Sequence, residues 1–497
     1  MKAKMRVLIV VVTLVATAAT VAASSPYLID PFWMADPLDP GQPAPDPSIP
    51  PETDVPGYWW RDTANQNAIA QHSEDAFAGQ VIQVYRSNVL DVLVYNSDSG
   101  PNVAALIGGD DLVLVGPGGG RNEANAAKIA FQASYSGFTN KDLLGIVVTE
   151  ASPEAYDGAQ YWRSIFRQTP PAPIYANASF AEAKADLDAV ATEYAARQAK
   201  ALGQSLAWGA DGFLGAGSMK AYNPQPSYAG PDILISEPTL LDTGVWGVYL
   251  IPTSGEDAGL VMYALYMYFR LPGCSGLECF LGTAGSLSSV PMLFLGDAGP
   301  YLPDVGSIYR ANVSVQERIA ILDQILTNQF LPYPLYSSDD PSYLFTAHGL
   351  PVIQNHDAVL SALTAQRDAL QAVYDQTLVL IDQGYTIDEI AAAVALPPEL
   401  AGSAYTRELA STLPGVVRNI YHEKMGWFGG ETHELASTLT PNARAEAIAE
   451  AMGGVQNLVA AARQAELSAR DLASAEQALY LAEAAYRAAP DDFAAKQ

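Results

Sequence analysis

The sequence predicts an α/β layered fold followed by an all-α helical region. Three observations point there. Between residues 75 and 356, short apolar and β-branched runs recur with turn signals between them, and Leu143 to Val148 is apolar throughout, as expected of a strand buried on both faces. A helical pattern, Asn122 to Gln132, separates that strand from the strands before it, which is the alternation of a layered sheet. From Asp357 onward strand signals disappear and apolar residues recur at helical spacing.

Taken in order, residues 1–23 read as a secretory signal: Lys2, Lys4 and Arg6 precede the apolar run Val7 to Ala16, and Val21-Ala22-Ala23 offers small residues before Ser24. Residues 24–74 form a Pro-rich arm that can hold neither a regular helix nor a central strand. In the layered region, 75–356, strands are expected at Phe77 to Tyr85, Val89 to Tyr95, Asn102 to Ile107, Asp111 to Val115, Leu143 to Val148, Gly247 to Pro252, Leu260 to Phe269, Pro291 to Leu295 and Tyr343 to Phe345. In the helical region, 357–497, helices are expected at Ala358 to Gln383, Ile387 to Val394, Thr406 to Thr412, Val416 to Lys424, Asn442 to Met452 and Val455 to Ala489 with a break. Past Ser24 no run is long enough to span a membrane.

The formal charge of −28 argues against nucleic acid and anionic membranes as partners, and suits a periplasmic or extracellular setting. Cys274 and Cys279 are the only cysteines; in an exported chain they form a local disulfide that clasps a hairpin. Gly116 to Gly120 follows a strand and precedes a helix, as a phosphate cradle would, but lacks a Walker lysine and reads as a flexible turn. Asn177-Ala-Ser179 and Asn312-Val-Ser314 are glycosylation sequons in a host that uses them.

One string carries a specific resemblance. Val417-Arg-Asn-Ile-Tyr421-His-Glu-Lys-Met-Gly426-Trp427-Phe428-Gly429-Gly430 resembles the Tyr-x-x-x-x-Gly-Trp-Phe-Asp-Gly signature of the alkyl sulfatase dimerisation domain. Asp375-Gln376-Thr377, Leu396-Pro397-Pro398-Glu399-Leu400 and Gly453-Gly454 agree in order. The resemblance implies an αββα metallo-β-lactamase-like sandwich ahead of the helical domain, a homodimer, and hydrolysis of alkyl sulfate esters at two zinc ions.

That chemistry fits this chain poorly. The family's zinc loop runs Thr-His-x-His-x-Asp-His after a buried strand. Here Glu150, Ser152 and Ala155 stand at the histidine positions and Glu154 at the aspartate position. Glu256, Asp297 and His348 resemble three further ligands, and Arg310 resembles the arginine that receives the sulfate. Zinc favours nitrogen and sulfur donors, so the set Glu150, Glu154, Glu256, Asp297 and His348 argues against dinuclear zinc. It leaves two alternatives. One is a metal-free vestige whose carboxylates are solvated or paired with Arg163, Arg310 or Lys220. The other is a site for a harder cation, Mn²⁺, Fe²⁺ or Ca²⁺.

Three functions are therefore carried forward. The first is binding of an anionic amphiphile or an exported protein partner, with Tyr263, Tyr266, Tyr268 and Phe269 either lining the apolar part or packing in the core. The second is metal-dependent hydrolysis of alkyl sulfate or related esters. The third is a structural or assembly role.

Overall fold

The structure, a computed structural model, describes residues 81–86, 89–97, 101–201, 230–243, 246–253, 259–266, 292–295, 302–303, 305, 313–327, 343–345, 347, 352–354, 356–406, 408, 411–436, 439–470, 472–492 and 495. The signal and Pro-rich arm lie outside these residues, as do Lys220, Glu256, Tyr268, Phe269, Cys274, Cys279, Asp297, Arg310, Asn312 and His348.

Two sheets form the centre. The first has seven strands in chain order: β1 (Val81–Arg86), β2 (Asp91–Tyr95), β3 (Val103–Gly108), β4 (Asp111–Val115), β5 (Asp142–Val147), β6 (Ile174–Asn177) and β7 (Ile233–Ile235). Its first four strands pair antiparallel, and the pairings from β4 to β7 are parallel. The parallel crossovers carry helices α1 (Arg121–Ser134), α2 (Pro153–Tyr156), α3 (Ala159–Phe166) and α4 (Phe180–Ala201). The second sheet, in the order β13-β12-β11-β10-β9-β8, comprises β8 (Thr239–Asp242), β9 (Trp246–Pro252), β10 (Leu260–Tyr266), β11 (Met292–Leu295), β12 (Tyr343–Phe345) and β13 (Val352–Gln354).

Strand periodicity explains the layering, because alternate residues face opposite sides of a sheet. Val92, Val94, Ala104 and Leu106 meet Val248, Leu250, Met262 and Phe294 in the core between the sheets. Their neighbours Leu93, Val103, Ala105 and Ile107 bury against Phe131, Phe138 and Trp162 from the helices outside the first sheet. On the far side of the second sheet, Ile251, Val261, Leu293, Leu295 and Leu344 share a continuous core with α5 (Val315–Leu326), α6 (His356–Asp382), α7 (Ile387–Ala393) and α9 (Leu413–Met425). Helix, sheet, sheet, helix is the αββα sandwich the sequence implied, and the helical array follows it.

One expected helix changes. Over Thr406 to Thr412 the described residues are not α-helical: Thr406 closes a 3₁₀ turn, Ala404–Thr406, and Glu408, Ser411 and Thr412 lie outside any helix. Thr412 caps α9 by accepting from the Gly415 amide at 3.1 Å, and Pro414 occupies its first turn, so the chain must enter extended. Strands β6, β7, β8 and β13 and helices α4 and α5 had no sequence forecast. Beyond α9 come α10 (Pro441–Ala451), α11 (Val455–Ser468) and α12 (Leu472–Ala488), which pack chiefly on one another around alanines 445, 449, 484 and 485 with Leu458. The short α8 (Pro398–Ala401) follows α7. No described helix is long and apolar enough to cross a membrane.

Candidate functional site

The rebuilt zinc loop begins where β5 ends. Glu150, at the first histidine position, is buried with 5% of its surface exposed, and its carboxylate accepts a hydrogen bond from the Ser152 hydroxyl at 2.5 Å. Ala155, at the third, is fully buried, while Glu154 lies on α2 between them. A solvated Glu150 is therefore corrected: the apolar end of β5 draws the residue inward, and the neighbouring hydroxyl supplies a donor. Nor does Arg163 pair with it. Arg163 bridges to Asp232 and donates from Nε to the Ala172 carbonyl at 2.8 Å, and burial lowers its pKa.

The glycine run after β4 is not a flexible turn. Residues 116–120 are buried, and Gly116, Gly118 and Gly120 hold φ of 63°, 83° and 141°, which only glycine adopts freely. Two of the run's amides and two of its carbonyls are already committed. Gly116 donates to the Val147 carbonyl at 3.0 Å, and Gly119 donates to the Glu123 carboxylate. The Pro117 carbonyl accepts from Trp162 Nε1 at 2.9 Å, and that of Gly118 from the Gly158 amide at 2.8 Å. Glu123, in the first turn of α1, also accepts from the Ser97 hydroxyl. A buried carboxylate already takes this helix N-terminus, the place where a phosphate would sit.

The remaining candidate residues lie outside the described part, yet their flanks are fixed around the same strand ends. The Leu260 amide donates to the Thr149 carbonyl at 3.0 Å, tying the start of β10 to the zinc-loop position. The Asn102 amide donates to the Ala347 carbonyl at 2.5 Å, beside His348 in sequence. Thr149, Asn102, Leu295 and Ala347 share a small cavity of about 30 Å³ with Val94, Ala104, Val115, Phe294 and Phe345. The described neighbours of Asp297 and His348 thus converge with the residue preceding Glu150, at the ends of β5, β11 and β12.

Two buried amides to which the sequence gave no role at the site hold these flanks. Asn177 Nδ2 donates to the carbonyls of Thr253 at 3.0 Å and Gly259 at 2.7 Å, closing the base of the segment that contains Glu256. Its Oδ1 accepts from the amide and hydroxyl of Ser179. Asn177 is 3% exposed, so the first sequon is a structural clamp and not a glycan acceptor. Asn419 Nδ2, from α9, donates to the carbonyls of Val305 at 2.6 Å and Val313 at 2.8 Å, on either side of the segment that contains Arg310. An amide is suited to both positions because its two N–H groups satisfy two carbonyls without introducing charge.

Comparison with known proteins agrees with this architecture. Residues 386–497 match the family model for alkyl sulfatase dimerisation. A linear primary-alkylsulfatase of Pseudomonas sp. is 33% identical over 175 residues, 34% of this chain and 33% of that protein. The alkyl/aryl-sulfatase BDS1 of Saccharomyces cerevisiae is 36% identical over 100 residues, 20% of this chain and 15% of that protein. The matched part therefore spans a third or less of these relatives' length. In fold, the stereoselective inverting sec-alkylsulfatase Pisa1 from Pseudomonas sp. superposes with a TM-score of 0.67 at 20% identity, covering 89% of this chain and 63% of that one. The chain is alkylsulfatase-like: it shares the fold of a sec-alkylsulfatase, an αββα sandwich followed by helices, and residues 386–497 match the alkyl sulfatase dimerisation family.

Proposed function

We propose that the chain is an exported homodimer that binds an anionic amphiphile at the converging strand ends and lacks dinuclear zinc hydrolysis. One observation carries the reading. Where the resemblance calls for three imidazoles, the loop has a buried carboxylate bonded to Ser152, that hydroxyl itself, and a methyl in the core. Such a set does not fit dinuclear zinc, whose ligands must offer free lone pairs from nitrogen or carboxylate to an open position. Val94, Ala104, Val115, Phe294 and Phe345 give the converging strand ends an apolar floor against which the start of an alkyl chain would rest. Arg310, in the segment whose ends Asn419 holds, would receive the anionic head with its planar guanidinium. The alkylsulfatase relatives support an alkyl sulfate as the ligand class.

A second reading is a metal-dependent ester hydrolase using Mn²⁺, Fe²⁺ or Ca²⁺ at Glu150, Glu154, Glu256, Asp297 and His348. It is favoured by the convergence of strand ends through Leu260, Thr149, Asn102 and Ala347. Such cations accept carboxylate-rich ligation. Calorimetric titration with dodecyl sulfate below its micelle concentration, run beside a sulfate-release assay, separates the two. Binding without sulfate release, weakened by Arg310→Ala, supports the binder. Sulfate release abolished by a chelator and by Asp297→Ala overturns it in favour of the hydrolase. Absence of both binding and turnover sinks both and leaves a structural or assembly role with an exported partner.

A further inference from the structure

The inner face of the first sheet carries a polar atom that the fold leaves unsatisfied beside the converging strand ends. Tyr95 packs among the helices outside that sheet, and the Ser97 hydroxyl reaches Glu123 of α1 on the same side. Alternation therefore turns Asn96, which lies between them, toward the space between the sheets, where Val94 also points. The register that sets Val94 opposite Ala104 and Tyr95 opposite Val103 runs on to set Asn96 opposite Asn102. There the Ser97 amide donates to Asn102 Oδ1 at 3.2 Å. Side chains directly opposite on one face of a strand pair lie about 5 Å apart. Val94, Ala104 and Asn102 line the cavity of about 30 Å³ at the strand ends, so Asn96 stands at the fourth corner of that quartet. It is 1% exposed, and its Oδ1 has no hydrogen-bond partner.

We propose that Asn96 accepts a hydrogen bond from a hydroxyl of the ligand, so that the amphiphile bound here carries a hydroxyl near its anionic head. This rests on the amphiphile reading above and narrows its ligand class from plain alkyl sulfates to hydroxylated ones. A buried amide oxygen without a donor is costly, and folded proteins keep few of them without a use. A plain alkyl sulfate cannot supply the donor: its sulfate oxygens only accept, and its methylenes do neither. A hydroxyl donates to Oδ1 and keeps its own lone pairs for a second bond. It also fits, because a group the size of a water needs only about 10–15 Å³ of such a cavity. An ammonium would donate as well, but burying its charge on a floor of Val94, Ala104 and Phe294 is costly. The head itself remains with Arg310, and the same apolar floor takes the carbons beside the hydroxyl.

Calorimetric titration of the full chain with dodecyl sulfate and with 2-hydroxydodecyl sulfate, each below its micelle concentration, tests the proposal. The two ligands differ by one hydroxyl. Wild type should bind the hydroxylated sulfate about 10-fold more tightly, the effect of pairing an acceptor that is otherwise orphaned. Asn96→Leu, close in size and without an acceptor, should bring the two affinities within about 2-fold of each other. Circular dichroism verifies the fold, and Asn96→Ala carries the same comparison where the leucine variant does not fold. Equal wild-type affinities overturn the hydroxyl contact and leave the amphiphile reading standing. A preference that survives substitution of Asn96 does the same. An equal loss for both ligands overturns it too, since the amide would then be donating to the sulfate. Absence of binding by either sulfate overturns this inference together with the reading beneath it.

Discussion

Replacing Asn177 by aspartate should destabilise the chain more than replacing it by alanine, although aspartate is nearly isosteric. The amide makes four hydrogen bonds: Nδ2 donates to the Thr253 and Gly259 carbonyls, and Oδ1 accepts from the Ser179 amide and hydroxyl. Each buried bond contributes about 1 kcal/mol net. The Gly259 carbonyl keeps the Thr253 amide at 3.2 Å and the Thr253 hydroxyl at 2.9 Å, so it is not orphaned in the alanine variant. Asn177→Ala should therefore lose about 3 kcal/mol. Asn177→Asp keeps both Ser179 donors but sets a carboxylate oxygen against two carbonyls at a position 3% exposed. A buried charge that faces two carbonyls and has no cationic partner costs about 3–5 kcal/mol, before any strain. Burial raises a carboxyl pKa, so acidification should return part of the loss, because the protonated form can donate to one carbonyl. Urea unfolding followed by circular dichroism at neutral and mildly acidic pH measures this through the midpoint and slope. An Asn177→Asp chain as stable as Asn177→Ala at neutral pH, or an alanine loss under about 1 kcal/mol, would refute the clamp.

Other outcomes follow from the same geometry. Gly158→Ala would put a Cβ 2.2 Å from the Pro117 carbonyl oxygen and 2.9 Å from that of Gly118, so backbone must shift, and a loss of about 2–3 kcal/mol in urea unfolding is expected. Trp162→Ala empties a fully buried site and removes the donor to Pro117, which should cost about 3–5 kcal/mol by the same assay. Asn419→Ala should cost about 2 kcal/mol and weaken dodecyl sulfate binding, because the carbonyls of Val305 and Val313 lose their shared donor. The Asp111 carboxyl is held above its usual pKa by burial first, then by Asp142 and Asp110. A raised carboxylate pKa penalises the fold when the group is ionised, fully so above the folded pKa and not at all below the unfolded value of 3.8. Asp111→Asn should thus raise the urea midpoint at pH 7, and the gain should vanish near pH 3.

How much was readable in the sequence depends on which interactions are local. Strands β2 to β5 were legible because both faces are buried, so each strand is an unbroken apolar run with turn residues at its ends. Helices α6, α7 and α10 were legible from periodicity, and at the start of α7 Thr386 and Glu389 form a capping box. Strands β6 and β7 were not: Ile174–Asn177 and Ile233–Ile235 are four and three residues long, and β6 follows prolines 170, 171 and 173. Their strand character comes from parallel pairing of β6 to β5 and of β7 to β6, which no short window contains. The misread helix over Thr406 to Thr412 shows the converse error. Its apolar spacing resembles a helical turn, while Thr412 and Pro414 together place the true start of α9 later.

The site divides along the same line. The altered zinc loop was legible because the departure is a matter of residue type: no arrangement gives Glu150, Ser152 and Ala155 an imidazole. What the sequence hid is how the altered loop is satisfied. Glu123 reads as an ordinary acidic residue in a helix's first turn, yet its carboxylate is what the Gly119 amide and Ser97 hydroxyl bond to. Its partners lie 4 and 26 residues away, and only the folded β4–α1 corner joins them. Asn177 and Asn419 are the same case at longer range, reaching carbonyls up to 82 and 114 residues distant. A carboxylate or amide that serves backbone groups leaves no sequence motif, since every residue supplies a carbonyl and almost every residue an N–H. Residue chemistry therefore spoke for the direct ligands, and the buried hydrogen bonds behind them had to be read from the fold.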